Sequence, residues 1–241
     1  MCMLIVLPPS ETKASGGEND PIDVSFPALN PVREEIADDL AALTIDEQLP
    51  LLKISENLRG EAEANLELRT APVMPAIFRY TGVLYDALDP ASLHDDHLSR
   101  LAIGSALFGV VRAYDMIPKY RLSGGTKLPR RDGTLPTLKA RWGTSITEAL
   151  EGTGEFLVDM RSGTYQQLGR VKSAMTVRVE SVQPDGSRKV VSHFNKHYKG
   201  ELARVLASSS RDANNIETVA DIAESAGMNI EVKGQELTLV V

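Results

Sequence analysis

The chain has 241 residues, 42% of them hydrophobic and 24% charged, which suits a soluble globular protein with a sizeable core. No apolar run approaches the roughly 18 residues of a membrane span. Cys2, read as a small buried hydrophobe, stands alone, so no internal disulfide or thiolate zinc cluster can form. The net charge of −7 argues against nonspecific nucleic-acid binding, and the absence of a basic leader points to a cytoplasmic location.

Residues 3–7, MLIVL, are continuously apolar and predict a buried strand, ended by Pro8 and Pro9, which cannot donate to a ladder. ASGGENDP (14–21) is a loop by composition. From Val32 to Leu43 the spacing puts Val32, Ile36, Leu40 and Leu43 on one helical face, with an acidic outer side. Thr44 or Asp46 caps a second helix with Leu49, Leu52 and Leu58 inward, and a short polar helical piece comes next over 60–68. FRYTGVLYDAL (78–88) is aromatic-rich, helix or strand turning into helix. Residues 97–118 hold an apolar run in which Gly104 and Gly109 signal close backbone approaches and argue against one long helix.

KYRLSGGTKLPRRDG (119–133) is a basic, glycine-rich connection, and Thr137–Leu150 predicts a helix with Trp142, Ile146 and Leu150 on one side. EFLVDMRSG (155–163) reads as strand then loop, with Ser162 placed to cap a helix start before YQQL. The PDGS turn at 184–187 between alternating segments is the clearest hairpin. Helices are predicted over 195–210 and 216–226, the latter closed by Gly227, and a second hairpin turns at Lys233-Gly234. Strands and helices mix without a βαβ rhythm, repeat or long linker. The expected class is mixed α/β (α+β) in one domain, residues 1–241.

The charge is segregated. Residues 112–141 carry a net +6, residues 161–204 another +6, and the remainder about −19. Such segregation suits either a local positive cleft or two well-solvated faces. Tyr114, Lys119, Tyr120, Arg121, Lys127, Arg130 and Arg131 interleave aromatics with phosphate-binding cations, and Gly124-Gly125 offers backbone N–H groups for an anion nest. A solvated loop has the same composition. Ser10 and Lys13 have the S-x-x-K spacing of some serine hydrolases, but the partner motifs are missing. That leaves Lys13 as a surface lysine, paired with Glu11 or unpaired, or a phosphate ligand at a strand end. His193, Lys196, His197 and Lys199 cluster near 195, without the glutamate of a metalloprotease helix, and no metal site is expected. Near the basic segments, Asp115 and Asp159 are candidate catalytic carboxylates, and equally candidates for a helix cap or a salt-bridge partner.

LIVLPPSETK (4–13), YTGVLYDAL (80–88), the 101–128 stretch, DMRSGTYQQL (159–168) and VVSHFNKHYKGELARVLA (190–207) occur together and in order. Through them the chain resembles the YaaA family of peroxide-stress-response proteins over nearly its whole length. The family signature keeps Lys13 while Ser10 and Glu11 depart from it. Arg112, Asp115 and Pro118–Arg121 are retained, and Phe108 stands in place of a tyrosine. The resemblance implies a mixed sheet with flanking helices, a positively charged cleft, a helix-hairpin-helix-like element and DNA binding, duplex or branched, during oxidative stress. The element is expected at Thr44–Leu58, although that stretch is acidic.

On this reading Lys13, Arg112, Lys119, Arg121, Lys127, Arg141, Lys196 and Lys199 contact phosphates, while Tyr120 and Tyr165 stack or position. The alternative is an enzyme acting on a nucleotide, nucleobase or damaged DNA in the same cleft. Glu11 or Asp115 would then be its acid–base or charge-stabilising group. No cofactor and no membrane partner are expected. Four histidines and one cysteine give no clustered iron ligands.

Overall fold

A computed structural model describes residues 3–191 and 194–241. Cys2 and His193 lie outside the described residues. Ten strands are described: β1 (Met3–Leu7), β2 (Val73–Pro75), β3 (Leu101–Ser105), β4 (Gly109–Arg112), β5 (Met116–Pro118), β6 (Phe156–Asp159), β7 (Met175–Val182), β8 (Arg188–Val190), β9 (Asn229–Lys233) and β10 (Glu236–Val240). Eight form one sheet in the order β4-β3-β1-β6-β7-β10-β9, with β8 on β7, and β2 pairs with β5 separately.

β1 lies inside the sheet, flanked on both sides, and is apolar on both faces. It pairs in parallel with β3 through Ile5↔Leu101 and with β6 through Met3↔Phe156, and all five of its residues are buried. β6, β7 and β10 continue the parallel run, and β4 and β9 fold back as antiparallel edges. The 97–118 run is therefore the β3–β4 hairpin and then β5. Gly109, at φ +74°, makes its turn, where a Cβ would lie 3.0 Å from the Trp142 ring. One hydrophobic cluster extends from Met3 to Leu239.

Helices flank the sheet: α1 (Asn30–Ala41), α2 (Ile45–Leu52), α3 (Arg59–Glu63), α4 (Ala76–Arg79), α5 (Val83–Leu88), α6 (Asp95–Leu98), α7 (Leu138–Trp142), α8 (Ser145–Glu151), α9 (Gly163–Gln166), α10 (Asn195–Ser208) and α11 (Ile216–Ser225). Thr44 caps α2 in a reciprocal box with Glu47. α2 ends at left-handed Lys53 and leads through a 3-10 turn into α3. Its deepest residue is Gln48, which binds Asn65, whereas Leu58 is exposed. The helix expected over 137–150 is two, α7 and α8, because Gly143 turns the chain at φ +52°. Ser162 precedes α9 without a side-chain capping bond. Both predicted hairpins form, and Gly227 closes α11 at φ +84°.

α10 crosses α5 at Gly200. A Cβ there would lie 2.3 Å from the Leu84 carbonyl oxygen and 2.8 Å from the Ala87 Cβ, so only glycine permits this approach. Buried arginines tie distant loops together. Arg79 donates to the carbonyls of Ala14, Gly16, Pro72 and Ile117, and Arg33 to those of Phe108 and Val110.

Candidate functional site

The chain leaves β1 for β3 on one side, and β6 later docks on the other. β1 is thus the place where strand order reverses, and open parallel sheets gather ligands beyond such carboxyl ends. Three segments emerge there: Pro8–Lys13 after β1, Ala106–Phe108 after β3, and Met160–Gly163 after β6.

Lys13 pairs in a bridge with Tyr80, and only 8% of its surface is exposed. Its Nζ donates to the Ser10 carbonyl at 3.1 Å and lies over two rings, 4.3 Å from the Tyr120 centroid and 5.2 Å from that of Tyr80. No carboxylate is within ion-pair distance of it among the described residues. Burial, reinforced by the nearby Arg121 charge, lowers its pKa to about 7, and Glu61 and Glu11 offset this in part. Ring faces moderate the cost of the ammonium without removing it.

The floor beneath is a hydroxyl chain. Tyr80 Oη meets Tyr120 Oη at 2.7 Å, Tyr120 Oη meets Ser105 Oγ at 2.7 Å, and Ser105 Oγ accepts the Phe108 N–H at 2.9 Å. Burial raises the pKa values of both phenols, so they stay protonated. Tyr85 donates to the Pro8 carbonyl, fixing the start of the loop. On the outer side Arg121 pairs with Glu11, and Asn65 accepts the Arg121 backbone N–H. Lys119 pairs with Glu61 at 2.9 Å through Oε1, leaving Glu61 Oε2 buried without a hydrogen-bond partner.

Beside this lies a second buried lysine. Lys199 on α10 is 8% exposed and donates to the Met160 carbonyl at 3.0 Å. Burial lowers its pKa to about 8, partly offset by Asp159. Asp159 itself is held in a buried two-point pair by Arg161, at 2.8 Å for each bond. Two cavities open here. One of about 270 Å³ is lined by Pro8–Thr12, Thr81–Tyr85 and Lys196, and one of about 570 Å³ reaches Lys199, Arg161 and Arg170. Pro8 and Lys196 are walls of both.

The structure thus gathers Glu11, Lys13, Lys119, Tyr120, Arg121 and Tyr165 in one cluster around the Pro8–Lys13 loop, with Lys196 and Lys199 on the adjoining cavity walls. Tyr165 accepts the Gly124 N–H at 3.1 Å, so half of the expected glycine nest is already used. Burial raises the Tyr165 pKa to about 12. Three expected phosphate contacts are committed elsewhere or apart. Arg112 pairs with Glu155 at 2.6 Å beside the amino end of β3. Arg141 is buried against Asp39 at 2.7 Å and Glu35 at 2.9 Å. Lys127 is exposed, in a bridge with Thr137.

Asp115 accepts from the Ser25 N–H and Oγ and from the Arg112 N–H, which occupies it as a turn lock near Arg112. Arg130 and Arg131 pair with Glu35 and Asp38 of α1, so the acidic helix neutralises much of the basic stretch. Tyr80, Ser105, Glu61 and Asn65 join the site without having been singled out in sequence. The two tyrosines of YTGVLYDAL, five apart, were the available signal. Among the described residues no group of three His, Cys, Asp or Glu side chains could hold a metal, and no helix is long and apolar enough to cross a membrane.

A family model described as "Peroxide stress protein YaaA" matches residues 3–231. Among curated relatives, a UPF0246 protein of Corynebacterium glutamicum is 64% identical over 99% of this chain and 100% of its own length. One from Corynebacterium efficiens has the same identity and coverage. A UPF0246 protein of Streptomyces coelicolor is 38% identical over 96% of this chain and 93% of its own.

Proposed function

We propose that this chain, which belongs to the peroxide stress protein YaaA family, acts as an enzyme on a nucleotide, nucleobase or damaged DNA, with the Lys13 amine as its working group. The observation that carries this reading is a lysine buried over two tyrosine rings with no carboxylate paired to it among the described residues. A structural lysine is normally paired or lets its head reach water, because an unpaired buried ammonium is costly. An amine with a pKa of about 7 is half neutral at physiological pH, which suits a general base or a nucleophile.

The roles come from the geometry. Tyr120 and Tyr80 hold the amine from below, and the Tyr80–Tyr120–Ser105 chain fixes both rings. The rings favour the ammonium when Lys13 takes up a proton. Glu11 and Arg121, paired across the outer side, offer one carboxylate and one cation to a substrate that separates them. Glu61 Oε2 has acceptor capacity to spare.

The test is peroxide survival of a bacterial strain lacking its own family member. Wild type should restore survival, and Lys13→Met, purified and shown folded, should not. Full rescue by Lys13→Met would overturn the reading.

A second reading is DNA contact through cations of the same cluster. It is supported by Lys196, which is exposed and has no acidic partner among the described residues. It requires duplex or junction binding that weakens steeply with salt and with the Lys13→Ala, Arg121→Ala pair of changes. Binding indifferent to both would remove it.

A further inference from the structure

The larger cavity has an electrostatic imbalance that the Lys13 site does not explain. Its wall carries Lys196, Lys199, Arg161, Arg170 and Arg178 against a single carboxylate, Glu236. Two of these cations are already neutralised, Arg161 by Asp159 at 2.8 Å and Arg178 by Glu180 at 2.6 Å. Lys196, Lys199 and Arg170 have no ion-pair partner among the described residues. Lys199 is the telling one. It is more than nine-tenths buried, its ammonium makes one hydrogen bond, to the Met160 carbonyl, and the side chain lines the cavity. An ammonium has three donors, and leaving a buried charge without a counter-ion is expensive.

The N-terminus of the 14-residue helix α10 opens on the same wall. Phe194 precedes it and supplies no side-chain cap, so its first N–H groups add positive potential there. The volume, about 570 Å³, is that of a small-molecule pocket.

We propose that this cavity seats the phosphate of a small phosphomonoester, with Lys199 at its base and Lys196 and Arg170 at its rim. A phosphate monoester supplies the missing negative charge and several acceptor oxygens at once. The shared wall at Pro8 and Lys196 directs the rest of the ligand into the smaller cavity, beside Ser10, Glu11 and Thr12. A nucleoside monophosphate matches that division, one end anionic and one end carried toward the loop that bears Lys13. This orientation rests on the reading of Lys13 as the working amine, whereas the phosphate seat stands without it.

The experiment is calorimetric titration of the purified chain at fixed ionic strength with inorganic phosphate and with AMP as probes, and with sulfate, chloride and a short DNA duplex as comparisons. Saturable one-to-one binding of AMP, at least about tenfold tighter than sulfate, is expected. Lys199→Met should weaken it at least about tenfold. The double variant Lys196→Ala, Arg170→Ala changes only exposed side chains, so it tests the seat without risk to the core, and it should also weaken AMP. Lys13→Met should leave the phosphate term intact. A failure of that variant alone to restore peroxide survival would then speak to Lys13 and not to the seat. AMP binding no tighter than sulfate, or equal in wild type and both seat variants, would overturn the proposal. So would binding of the duplex alone, which would return the cavity to a nucleic-acid groove.

Discussion

Replacing Lys13 with methionine should make the protein more stable near neutral pH. Burial, helped by Arg121, lowers the Lys13 pKa from 10.5 to about 7. Below pH 7 the folded and unfolded chains both carry the proton, and the folded chain bears the full cost of a buried charge. Above 10.5 neither carries it and the cost is gone. Between the two the unfolded chain holds the proton and the folded chain does not, so the contribution of Lys13 to stability rises with pH. The span from 10.5 to about 7 corresponds to about 5 kcal/mol, an order-of-magnitude figure.

Methionine removes that cost. It also forfeits the contact of the ammonium with two rings, about 1–2 kcal/mol, and a charge-assisted bond to the Ser10 carbonyl, about 1–2 kcal/mol. The balance at pH 7 is a gain of about 2 kcal/mol. Urea unfolding of wild type and Lys13→Met from about pH 6.5 to about pH 9.5 measures it, and taking the difference cancels the other lysines. The variant should lead at the acid end and lose that lead as pH climbs. Parallel curves across the range, or a variant less stable at pH 7, would refute the argument that Lys13 is a buried, unpaired ammonium.

Gly200→Ala gains about 1 kcal/mol of helix propensity but drives a Cβ to 2.3 Å from the Leu84 carbonyl oxygen. Separating α10 from α5 outweighs the gain, and calorimetry should show a melting temperature several degrees lower, at about 2–4 °C per kcal/mol. Arg141→Ala strands buried Asp39, costing about 3–5 kcal/mol. Thermal unfolding should register that loss, while any DNA affinity measured per folded molecule stays unchanged. Asp115→Ala should lower stability by about 1–3 kcal/mol through three lost hydrogen bonds, with no effect on the reactivity of Lys13 toward a small acylating reagent.

The elements set by local chemistry were legible in the sequence. β1, the Thr44 cap, the PDGS hairpin and the Gly227 helix end each depend on a handful of neighbouring residues. The charge pattern was not, because its meaning depends on partners far along the chain. The net +6 over 112–141 suggested a cleft, but α1 and α3 bring Glu35, Asp38, Asp39 and Glu61 onto it. Arg141 is 102 positions from Asp39, and no periodicity announces such a pair. Tyr120 was expected to stack or position, but its ring is fully buried under the Lys13 amine and is not free to stack on a base. Lys196 and Lys199 looked alike in sequence. The helix face separates them, one in solvent and one under Met160.

The order of pairing around β1 also has a consequence for biosynthesis. The strand is apolar on both sides, and its partners lie about a hundred and about a hundred and fifty residues downstream, as Ile5↔Leu101 and Met3↔Phe156 show. A ribosome adding roughly 5–20 residues per second therefore leaves MLIVL without its sheet neighbours for many seconds. During that interval the segment is a ready substrate for chaperones, and for pairing with the same segment of another nascent chain. The strand that delivers Lys13 is made before its partners and enclosed late, so conditions that slow translation should cost this protein solubility before they cost it stability.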